Sequence, residues 1–250
     1  MMRAAVFADP PVLCGHRGSG KGIVGGHREN TLDSFRAAVA AGLGWVEVDA
    51  RLNADGLLVS RHDPALEDGR LVSELTSAET DELGLMRVED LFEALPSGVG
   101  VDLDVKTSLE DALRPREFTT AALAADLAAS LPADGRPLLV SSFDPSALLI
   151  ARERAPGVAT GLLTWRRFPL RKAIAAAVHL GLDVVEPHYE SLMIGPPHDR
   201  PPDELVRVAH EAGLQVLTWS VPPDGREAAL SAGADCLVID DVLPLASPAS

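Results

Sequence analysis

The sequence predicts an α/β protein built as one closed (β/α)8 barrel, with a β-hairpin inserted after the second strand. Short apolar runs alternate with helical patterns along the 250 residues, and continuous apolar strands between helices are typical of a parallel sheet covered by helices. Eight such units fit a barrel, which typically needs about 250 residues. An open doubly wound sheet is the alternative, because periodicity does not reveal closure. We expect a single domain over residues 1–250, with a frayed tail at Ala246–Ser250.

Eight apolar runs are the predicted strands, and seven amphipathic or alanine-rich segments are the predicted helices. The strands are Val12–Gly15, Trp45–Asp49, Val99–Val105, Leu138–Ser142, Thr160–Leu163, Asp183–Glu186, Gln215–Val221 and Cys236–Asp240. The helices are Thr31–Ala41, Val88–Leu95, Glu117–Leu131, Pro145–Ala155, Leu170–Leu180, Asp203–Ala212 and Asp224–Ala232. Glycine or proline follows each helix, as expected of a stop signal.

The unit after the second strand lacks a helical pattern and reads as a hairpin. The Asp-Gly pair at 55–56 favours a two-residue type I′ turn, which would place Asp49 opposite His62. A four-residue loop over 53–56 would instead place Glu47 opposite His62. In either register the hairpin returns the histidine to the carboxylates on the preceding strand.

Composition excludes several classes of function and location. The chain has a net charge of −15, which argues against a nucleic-acid binder, because phosphate backbones demand clustered Lys and Arg, and disfavours stable association with anionic membrane surfaces. Two cysteines, Cys14 and Cys236, are too few for a disulfide framework and fit free thiols in a reducing compartment. No apolar run resembles a signal peptide or a membrane span, so we expect a cytoplasmic protein.

Acidic side chains recur at alternate positions of two predicted strands. Glu47 and Asp49 share one face of the second strand, and Asp102, Asp104 and Lys106 alternate in the same way on the third. Buried carboxylates must be paired or bind a metal. Oxygen ligands suit a hard divalent cation such as Mg²⁺ or Ca²⁺. The alternative is solvated charge at the strand ends.

Two histidines and two cations are predicted beside these acids. His16 and Arg17 follow the first strand, and His62 closes the hairpin. Arginine can bind two phosphate oxygens at once, and Lys106 adds a second positive charge. This set suits metal-assisted phosphodiester cleavage, in which one imidazole takes a proton and the other gives one.

The glycine-rich segment after the first strand also resembles two nucleotide-binding motifs. Residues 15–22 nearly match a phosphate-binding loop, but Gly22 stands where a magnesium-binding Ser or Thr belongs. Residues 20–25 satisfy the pattern of a dinucleotide site. Both motifs require a helix that the sequence does not predict here, so we do not favour nucleotide binding.

Short motifs along nearly the whole chain resemble the glycerophosphodiester phosphodiesterase family. They are GHRG (15–18), ENTLDSF (29–35), VEVD (46–49), DGLLVSRHD (55–63), DVK (104–106), SSF (141–143), TWSV (218–221) and DCLVIDD (235–241). Each motif is weak alone, but their order and spacing are specific. The resemblance implies a TIM barrel that requires a divalent cation, with Mn²⁺ as a further candidate, and that acts on a small-molecule substrate in lipid metabolism.

The resemblance also implies a reaction and the residues that perform it. Glycerophosphodiesters are cleaved to glycerol 3-phosphate and an alcohol, the glycerol 2-hydroxyl attacking first to give a cyclic phosphate that water then opens. His16 and His62 would be the general acid and base, and Arg17 and Lys106 would bind phosphate.

The same resemblance implies that Glu47 and Asp49 bind the metal, with Asp104 as the third carboxylate where the family usually has glutamate. Trp219 and Glu186 are further substrate-binding candidates, although Trp219 would serve equally well in the core and Glu186 could contact the metal or cap a loop.

The sequence departs from the family pattern at a second place besides Asp104, and two other functions are possible. The segment Ser19–Arg28 is longer and richer in glycine than the family pattern and is predicted to lie over the mouth of the barrel. A lysophospholipid diesterase would need an apolar lip, for which Phe168–Leu170 and Leu192–Ile194 are candidates. A non-catalytic phosphodiester-binding barrel is disfavoured, because both histidines and the acidic residues are present.

Overall fold

The structure is a computed structural model that describes residues 5–131, 135–194 and 200–242. Its strands are β1 (Val12–Gly15), β2 (Ile23–Val24), β3 (His27–Arg28), β4 (Trp45–Leu52), β5 (Leu58–Ser60), β6 (Gly100–Val105), β7 (Leu138–Ser142), β8 (Ala159–Thr164), β9 (Val184–Pro187), β10 (Gln215–Val221) and β11 (Cys236–Ile239). Its α-helices are α1 (Leu32–Ala40), α2 (Ser77–Glu82), α3 (Val88–Ala94), α4 (Thr120–Ser130), α5 (Pro145–Arg154), α6 (Leu170–Leu180), α7 (Tyr189–Met193), α8 (Pro202–Glu211) and α9 (Arg226–Ser231).

Eight parallel strands close into a barrel. They pair in the order β1-β11-β10-β9-β8-β7-β6-β4, and a further pairing of β1 with β4 joins the two ends. That pairing, Cys14 with Trp45 and Gly15 with Val46, is the contact that an open sheet would lack. The predicted (β/α)8 barrel is confirmed, and the open doubly wound alternative is wrong. The single-domain prediction and the frayed tail extend beyond the described residues, and both stay predictions.

Local sequence explains most of the helices and strands. Strands β1, β7 and β10 and helix α6 have the predicted bounds, and β4 continues past Asp49 to Leu52. Two short helices, α2 and α7, were not predicted, because six and five residues are too few to show a periodic pattern. Helix α2 is instead specified by a capping box between Thr76 and Glu79.

The hairpin after β4 is present, but both predicted registers are wrong. Strands β4 and β5 pair Ala50 with Ser60, a register shifted by one residue from each prediction. The cause is the side chain of Asn53, whose Oδ1 accepts the N–H groups of Asp55 at 3.0 Å and Leu57 at 2.7 Å. This local side-chain closure of the turn replaces the two-residue type I′ turn.

The glycine-rich segment forms a small antiparallel ribbon rather than the helix that a nucleotide motif requires. Strands β2 and β3 pair Ile23 with Arg28 and Val24 with His27. Before them, Gly20 has a φ of +136°, and a Cβ there would lie 1.9 Å from the backbone oxygen of Asp240. Only glycine therefore fits where this segment crosses the end of the last barrel strand.

Two apolar layers hold the barrel together. The larger lies between the strands and the surrounding helices, and the smaller fills the barrel interior with residues including Cys14, Leu139, Leu217 and Cys236. Cys14 and Cys236 are free and buried. Phe7 packs edge-on against Trp45 in the interior layer, with ring centroids 4.9 Å apart. Within the described ranges, no helix has the length and apolarity needed to cross a bilayer.

Candidate active site

Strands β4 and β6 place acidic side chains inside the barrel. Their register aligns Glu47 with Asp102 and Asp49 with Asp104, and side chains at alternate positions of a strand point to the same side. All four carboxylates are buried. Such a concentration of like charge is unfavourable unless protons, basic side chains or a cation neutralise it.

Three of these acids lie close enough together to hold a cation. Glu47, Asp49 and Asp104 each offer a carboxylate oxygen, and the three atoms lie within 4.8 Å of one another. Among the described residues, Glu47 Oε1 and Asp104 Oδ1 are buried oxygens that accept no hydrogen bond. Converging, unpartnered carboxylate oxygens are ligands that a hard divalent cation prefers, so the donor set fits such an ion. Asp104 occupies this place despite its shorter side chain.

Lys106 and Arg17 bring positive charge to the same acids. Lys106 Nζ lies 3.0 Å from Asp49 Oδ1 and also donates to Asp104. Arg17 Nε lies 3.3 Å from Asp49 Oδ2, and the Arg17 backbone N–H donates to Glu47 Oε2 at 2.9 Å. Arg17 has a φ of +52°, a conformation that costs energy for a non-glycine residue and is often found at functional sites.

The acids respond differently to this environment. Burial alone would raise the pKa of Asp49, but Lys106 and Arg17 lower it well below its usual range. Burial, together with the neighbouring charge of Asp49, raises the pKa of Glu47 to about 8. Burial also raises the pKa of Asp104. A bound cation would favour the ionised form of each carboxylate.

His16 lies at the end of β1 between two acids. Its Nδ1 donates to Asp240 Oδ1 at 2.6 Å, and its Nε2 lies 3.9 Å from Glu47 Oε2. Burial lowers the pKa of His16, but the hydrogen bond to Asp240 and the charge of Glu47 outweigh burial and raise it above 6.5. Asp240 thereby fixes the ring orientation and leaves Nε2 facing the carboxylates.

His62 follows β5 and is more exposed. Its Nδ1 donates to Asp63 Oδ1 at 2.8 Å, and burial lowers its pKa below 6.5. In both histidines an acidic partner therefore holds the proton on Nδ1. This arrangement fixes the tautomer of the neutral ring and leaves Nε2 to accept or donate a proton. His16 and His62 line one cavity, which brings together the two imidazoles expected there.

That cavity has a volume of about 380 Å³ and opens at the carboxyl end of the barrel strands, where active sites of this fold lie. Eight of the nine predicted site residues line it: His16, Arg17, Glu47, His62, Asp104, Lys106, Glu186 and Trp219. The ninth, Asp49, contacts Arg17 and Lys106 directly beneath it.

One side of the cavity is aromatic. The rings of Phe143 and Trp165 stack with centroids 4.3 Å apart, and Trp219 meets Phe143 edge-on at 5.7 Å. Trp219 Nε1 donates to the backbone oxygen of Glu186 at 3.2 Å. Trp219 therefore has one polar contact that fixes its ring and a face beside the space where a substrate would lie.

Glu186 lies on β9, apart from the three clustered acids. Ser141 Oγ lies 2.7 Å from Glu186 Oε1 and 2.5 Å from Asp102 Oδ1, so one hydroxyl joins two carboxyl groups. A Cβ on Gly161 would lie 1.7 Å from Glu186 Oε1, so a larger residue at this position of the neighbouring strand would displace that carboxyl group. Burial raises the pKa of Glu186 to about 8.

Sequence reasoning missed two residues that hold the site together. Asn30 Nδ2 donates to Asp49 Oδ2 at 2.8 Å, while its Oδ1 accepts from Ser60 Oγ at 2.7 Å. Asp240, the partner of His16, is the other. Both lie within motifs that carry the family resemblance, at 29–35 and 235–241, and Asp240 directly follows the last strand, where site residues are expected.

Comparison with known proteins identifies the family. Residues 16–243 match the model of the glycerophosphoryl diester phosphodiesterase family. The chain belongs to that family. It is therefore an enzyme of the phosphodiesterase class, which confirms the resemblance seen in the sequence motifs.

Curated relatives agree with this assignment. A Mycobacterium tuberculosis protein named "Probable glycerophosphodiester phosphodiesterase 2" is 27% identical over 229 residues, covering 84% of this chain and 81% of that protein. The glycerophosphodiester phosphodiesterase of Caldanaerobacter subterraneus subsp. tengcongensis is 22% identical over 259 residues, covering 92% and 94% of the two chains.

Solved structures share the fold. An Oleispira antarctica phosphodiesterase in complex with the product sn-glycerol-3-phosphate superposes with a TM-score of 0.75 at 25% identity, covering 96% of each chain. The Thermotoga maritima glycerophosphodiester phosphodiesterase superposes with a TM-score of 0.71 at 23% identity, covering 92% of this chain and 95% of its own.

Proposed function

We propose that the chain hydrolyses glycerophosphodiesters to glycerol 3-phosphate and an alcohol, with a divalent cation and two-histidine acid–base catalysis. The observation that carries the proposal is a cavity lined by two imidazoles and two basic side chains, with three clustered carboxylates at it, two in its lining and Asp49 in contact with the two basic side chains. The product complex of the Oleispira relative supports the same substrate class. Cytoplasmic location and a role in lipid metabolism stay predictions.

Glu47, Asp49 and Asp104 would hold the cation. When bound, a divalent ion polarises a phosphoryl oxygen and lowers the pKa of a hydroxyl group next to it. Mg²⁺, Ca²⁺ and Mn²⁺ all accept an all-oxygen donor set. Lys106 and Arg17 lie against the same carboxylates, so their positive charge is available to phosphate oxygens at the cavity wall.

The two histidines would move the protons. In the first step one imidazole removes the proton of the glycerol 2-hydroxyl as that oxygen attacks phosphorus, and the other protonates the departing alcohol oxygen. The P–O bond to the alcohol breaks and a cyclic phosphate forms. In the second step water opens the ring, and the two imidazoles exchange roles. The acidic partners Asp240 and Asp63 orient the rings throughout.

Trp219 and Glu186 would position the substrate. The face of Trp219 borders the aromatic side of the cavity and suits the carbon atoms of the glycerol moiety. Glu186 fixes the floor of the cavity through Ser141, and Glu186 Oε2 is a buried oxygen for which the described residues provide no hydrogen-bond donor. We therefore assign Glu186 a positioning role.

A lysophospholipid diesterase is a second candidate, favoured by one observation. Of the two predicted apolar lips, Phe168 is 37% exposed and Ile194 is 65% exposed, whereas Leu170 and Leu192 are each 1% exposed and belong to the core. The exposed members could accept part of an acyl chain at the mouth.

A coupled assay for glycerol 3-phosphate tests the proposal. The substrates are the choline, ethanolamine, inositol and glycerol diesters, each measured in chelator and after addition of Mg²⁺, Mn²⁺ or Ca²⁺. Cleavage of a lysophospholipid, the rival substrate, is followed by release of its alcohol, because its other product is an acylated glycerol 3-phosphate. We expect turnover of at least one glycerophosphodiester that requires a divalent ion. Full activity in chelator would contradict the metal assignment, and no glycerol 3-phosphate from any diester would contradict the function.

Histidine variants test the proton-transfer roles. His16→Ala and His62→Ala should each abolish turnover while preserving the circular dichroism spectrum and the melting temperature. Removal of a general acid or base typically costs about 10²–10⁴ in rate. His179→Ala, an exposed histidine on α6, is the matched control and should keep wild-type activity. A wild-type rate in either site variant would remove that histidine from the mechanism.

A further inference from the structure

A basic, aromatic segment follows β8 in a chain that is otherwise strongly acidic. Residues 165–172 read WRRFPLRK, with four cations and no acidic residue, whereas the whole chain has a net charge of −15. Trp165 is 67% exposed and Phe168 is 37% exposed. Exposed apolar surface beside charged residues is typical of a site that contacts another molecule or a membrane.

A second loop adds exposed apolar side chains to the same end of the barrel. Leu109, Leu113 and Phe118 lie between β6 and α4 and are 85%, 89% and 58% exposed. Strands β6 and β8 flank β7 in the barrel, so the loops that follow them lie on either side of the loop after β7. We call these two loops, residues 107–119 and 165–172, the apolar-basic rim. Its excess positive charge comes from 165–172 alone, because 107–119 holds three acidic and two basic residues.

The rim is continuous with the catalytic cavity. Trp165 lines that cavity and stacks on Phe143, which follows β7. A flat surface that contacts the rim would therefore face the mouth of the active site. Leu149 on α5 and Leu230 on α9 are also exposed, but they lie on the surrounding helices.

Two cations of the rim lie at a helix N-terminus, and two others share one acidic partner. Arg171 and Lys172 occupy the first turn of α6, which contains no acidic residue and whose N-cap, Pro169, provides no side-chain hydrogen bond. Positive charge at a helix N-terminus opposes the helix dipole. Arg166 and Arg167 both contact Glu190, at 2.5 Å and 3.1 Å, so two cations share one acid.

We propose that the apolar-basic rim docks reversibly onto an anionic phospholipid surface. Trp165 and Phe168 would enter the headgroup layer while the cations of the same loop face lipid phosphates, as in other interfacial segments. Net charge alone predicts no stable membrane association, but at physiological ionic strength charges more than about 8 Å apart are largely screened. A local basic surface can therefore attract lipid although the whole chain is acidic.

The docking does not depend on which diester the enzyme cleaves, so binding is measured without turnover. The full chain is floated with vesicles of phosphatidylcholine, with and without phosphatidylglycerol, in chelator. We expect binding to the anionic vesicles only, and loss of binding at about 1 M salt, where the Debye length falls to roughly 3 Å. Equal binding to both vesicle types, or none to either, would overturn the proposal.

Charge reversal at the rim provides the matched test. Arg171→Glu/Lys172→Glu should weaken binding at least about 25-fold, since each basic residue near such a surface contributes on the order of a fivefold gain. Arg36→Glu/Arg207→Glu, on α1 and α8, changes the net charge equally and should bind within about twofold of wild type. Equal losses in both double variants would overturn the rim as the contact surface.

Two further measurements distinguish lipid docking from misfolding and from self-association. Phe168→Ser should weaken vesicle binding, whereas Leu149→Ser should not, because only the first removes apolar area from the rim. The rim variant at positions 171 and 172 should retain wild-type turnover of a water-soluble glycerophosphodiester, and the variant at position 168 should keep the wild-type circular dichroism spectrum, which shows that both are folded. Size-exclusion chromatography tests for self-association. If wild type forms a dimer that the rim variants lose, and wild type does not bind vesicles, the occupant of the rim is a second copy of the chain and the lipid proposal is overturned.

Discussion

The wild-type protein should become less stable as pH rises, and replacing Glu186 with glutamine should reduce this pH dependence. Glu186 is fully buried, and burial raises its pKa to about 8. Glutamine has nearly the same shape and can still accept the hydrogen bond from Ser141, which lies 2.7 Å from Glu186 Oε1. The substitution therefore changes the ionisation of this position more than its packing.

The expected magnitude follows from linkage. Between the ordinary pKa of about 4.3 and the folded value of about 8, the native state retains a proton that the unfolded state has released. Stability therefore falls as pH rises through this range, by about 1.4 kcal/mol per pH unit. From about pH 5 to pH 8 wild type should lose about 4 kcal/mol relative to Glu186→Gln. The two proteins should be almost equally stable at the acidic end.

Urea unfolding in chelator, followed by circular dichroism at several pH values, measures this difference. Chelator is needed because a bound cation stabilises ionised carboxylates. Carboxyl groups that do not interact with Glu186 contribute equally to both proteins and cancel, whereas Asp102 and Glu47 interact with the Glu186 charge and belong to the measured difference. Glu89→Gln, an exposed position on α3, is the control and should parallel wild type. Parallel curves for wild type and Glu186→Gln would refute the reasoning, because they would mean that Glu186 is ionised in the folded protein.

Three further predictions concern the ends of the barrel and its cation site. Phe7→Ala should reduce the free energy of unfolding in urea by about 3–5 kcal/mol, because it removes the ring packed on Trp45. It should leave the KM for substrate unchanged. A loss below about 1 kcal/mol would show that the ring is not part of the core. Asp104→Glu should keep or increase the affinity for a divalent ion in calorimetric titration, and abolished binding would show a site fitted to the shorter side chain. Asp240→Asn should lower the pKa of His16 in NMR titration of the metal-free protein, since the carboxylate that raises it is lost; an unchanged value would contradict that coupling.

Several features of the site could be predicted because they are local in sequence. Glu47 and Asp49 alternate on one strand, and alternation alone places both on one face. His16 and Arg17 directly follow an apolar strand, where side chains of a barrel enter the active site. These residues, with Asp104 and Lys106, line or contact one cavity in the structure.

Other features depend on contacts between distant segments. Asp240 is 224 residues from His16, and the hydrogen bond between them exists because the last strand of the barrel pairs with the first. The hairpin register depended on the side chain of Asn53, which a turn preference based on the Asp-Gly pair does not include. The sharing of Ser141 by Asp102 and Glu186 likewise requires side chains from β6, β7 and β9 to meet inside the barrel, with β8 between the last two strands.

The amino-acid sequence by itself determined the α/β alternation and the number of barrel strands, and it predicted most of the residues that line the candidate cavity. These depend on periodicity, on glycine and proline stops and on short motifs, all of which act within a few residues. Only the tertiary structure decided which carboxylates converge, which remain unpartnered and which cations lie against them. Burial and Coulomb interactions depend on distances between strands far apart in the chain, and closing the barrel sets those distances.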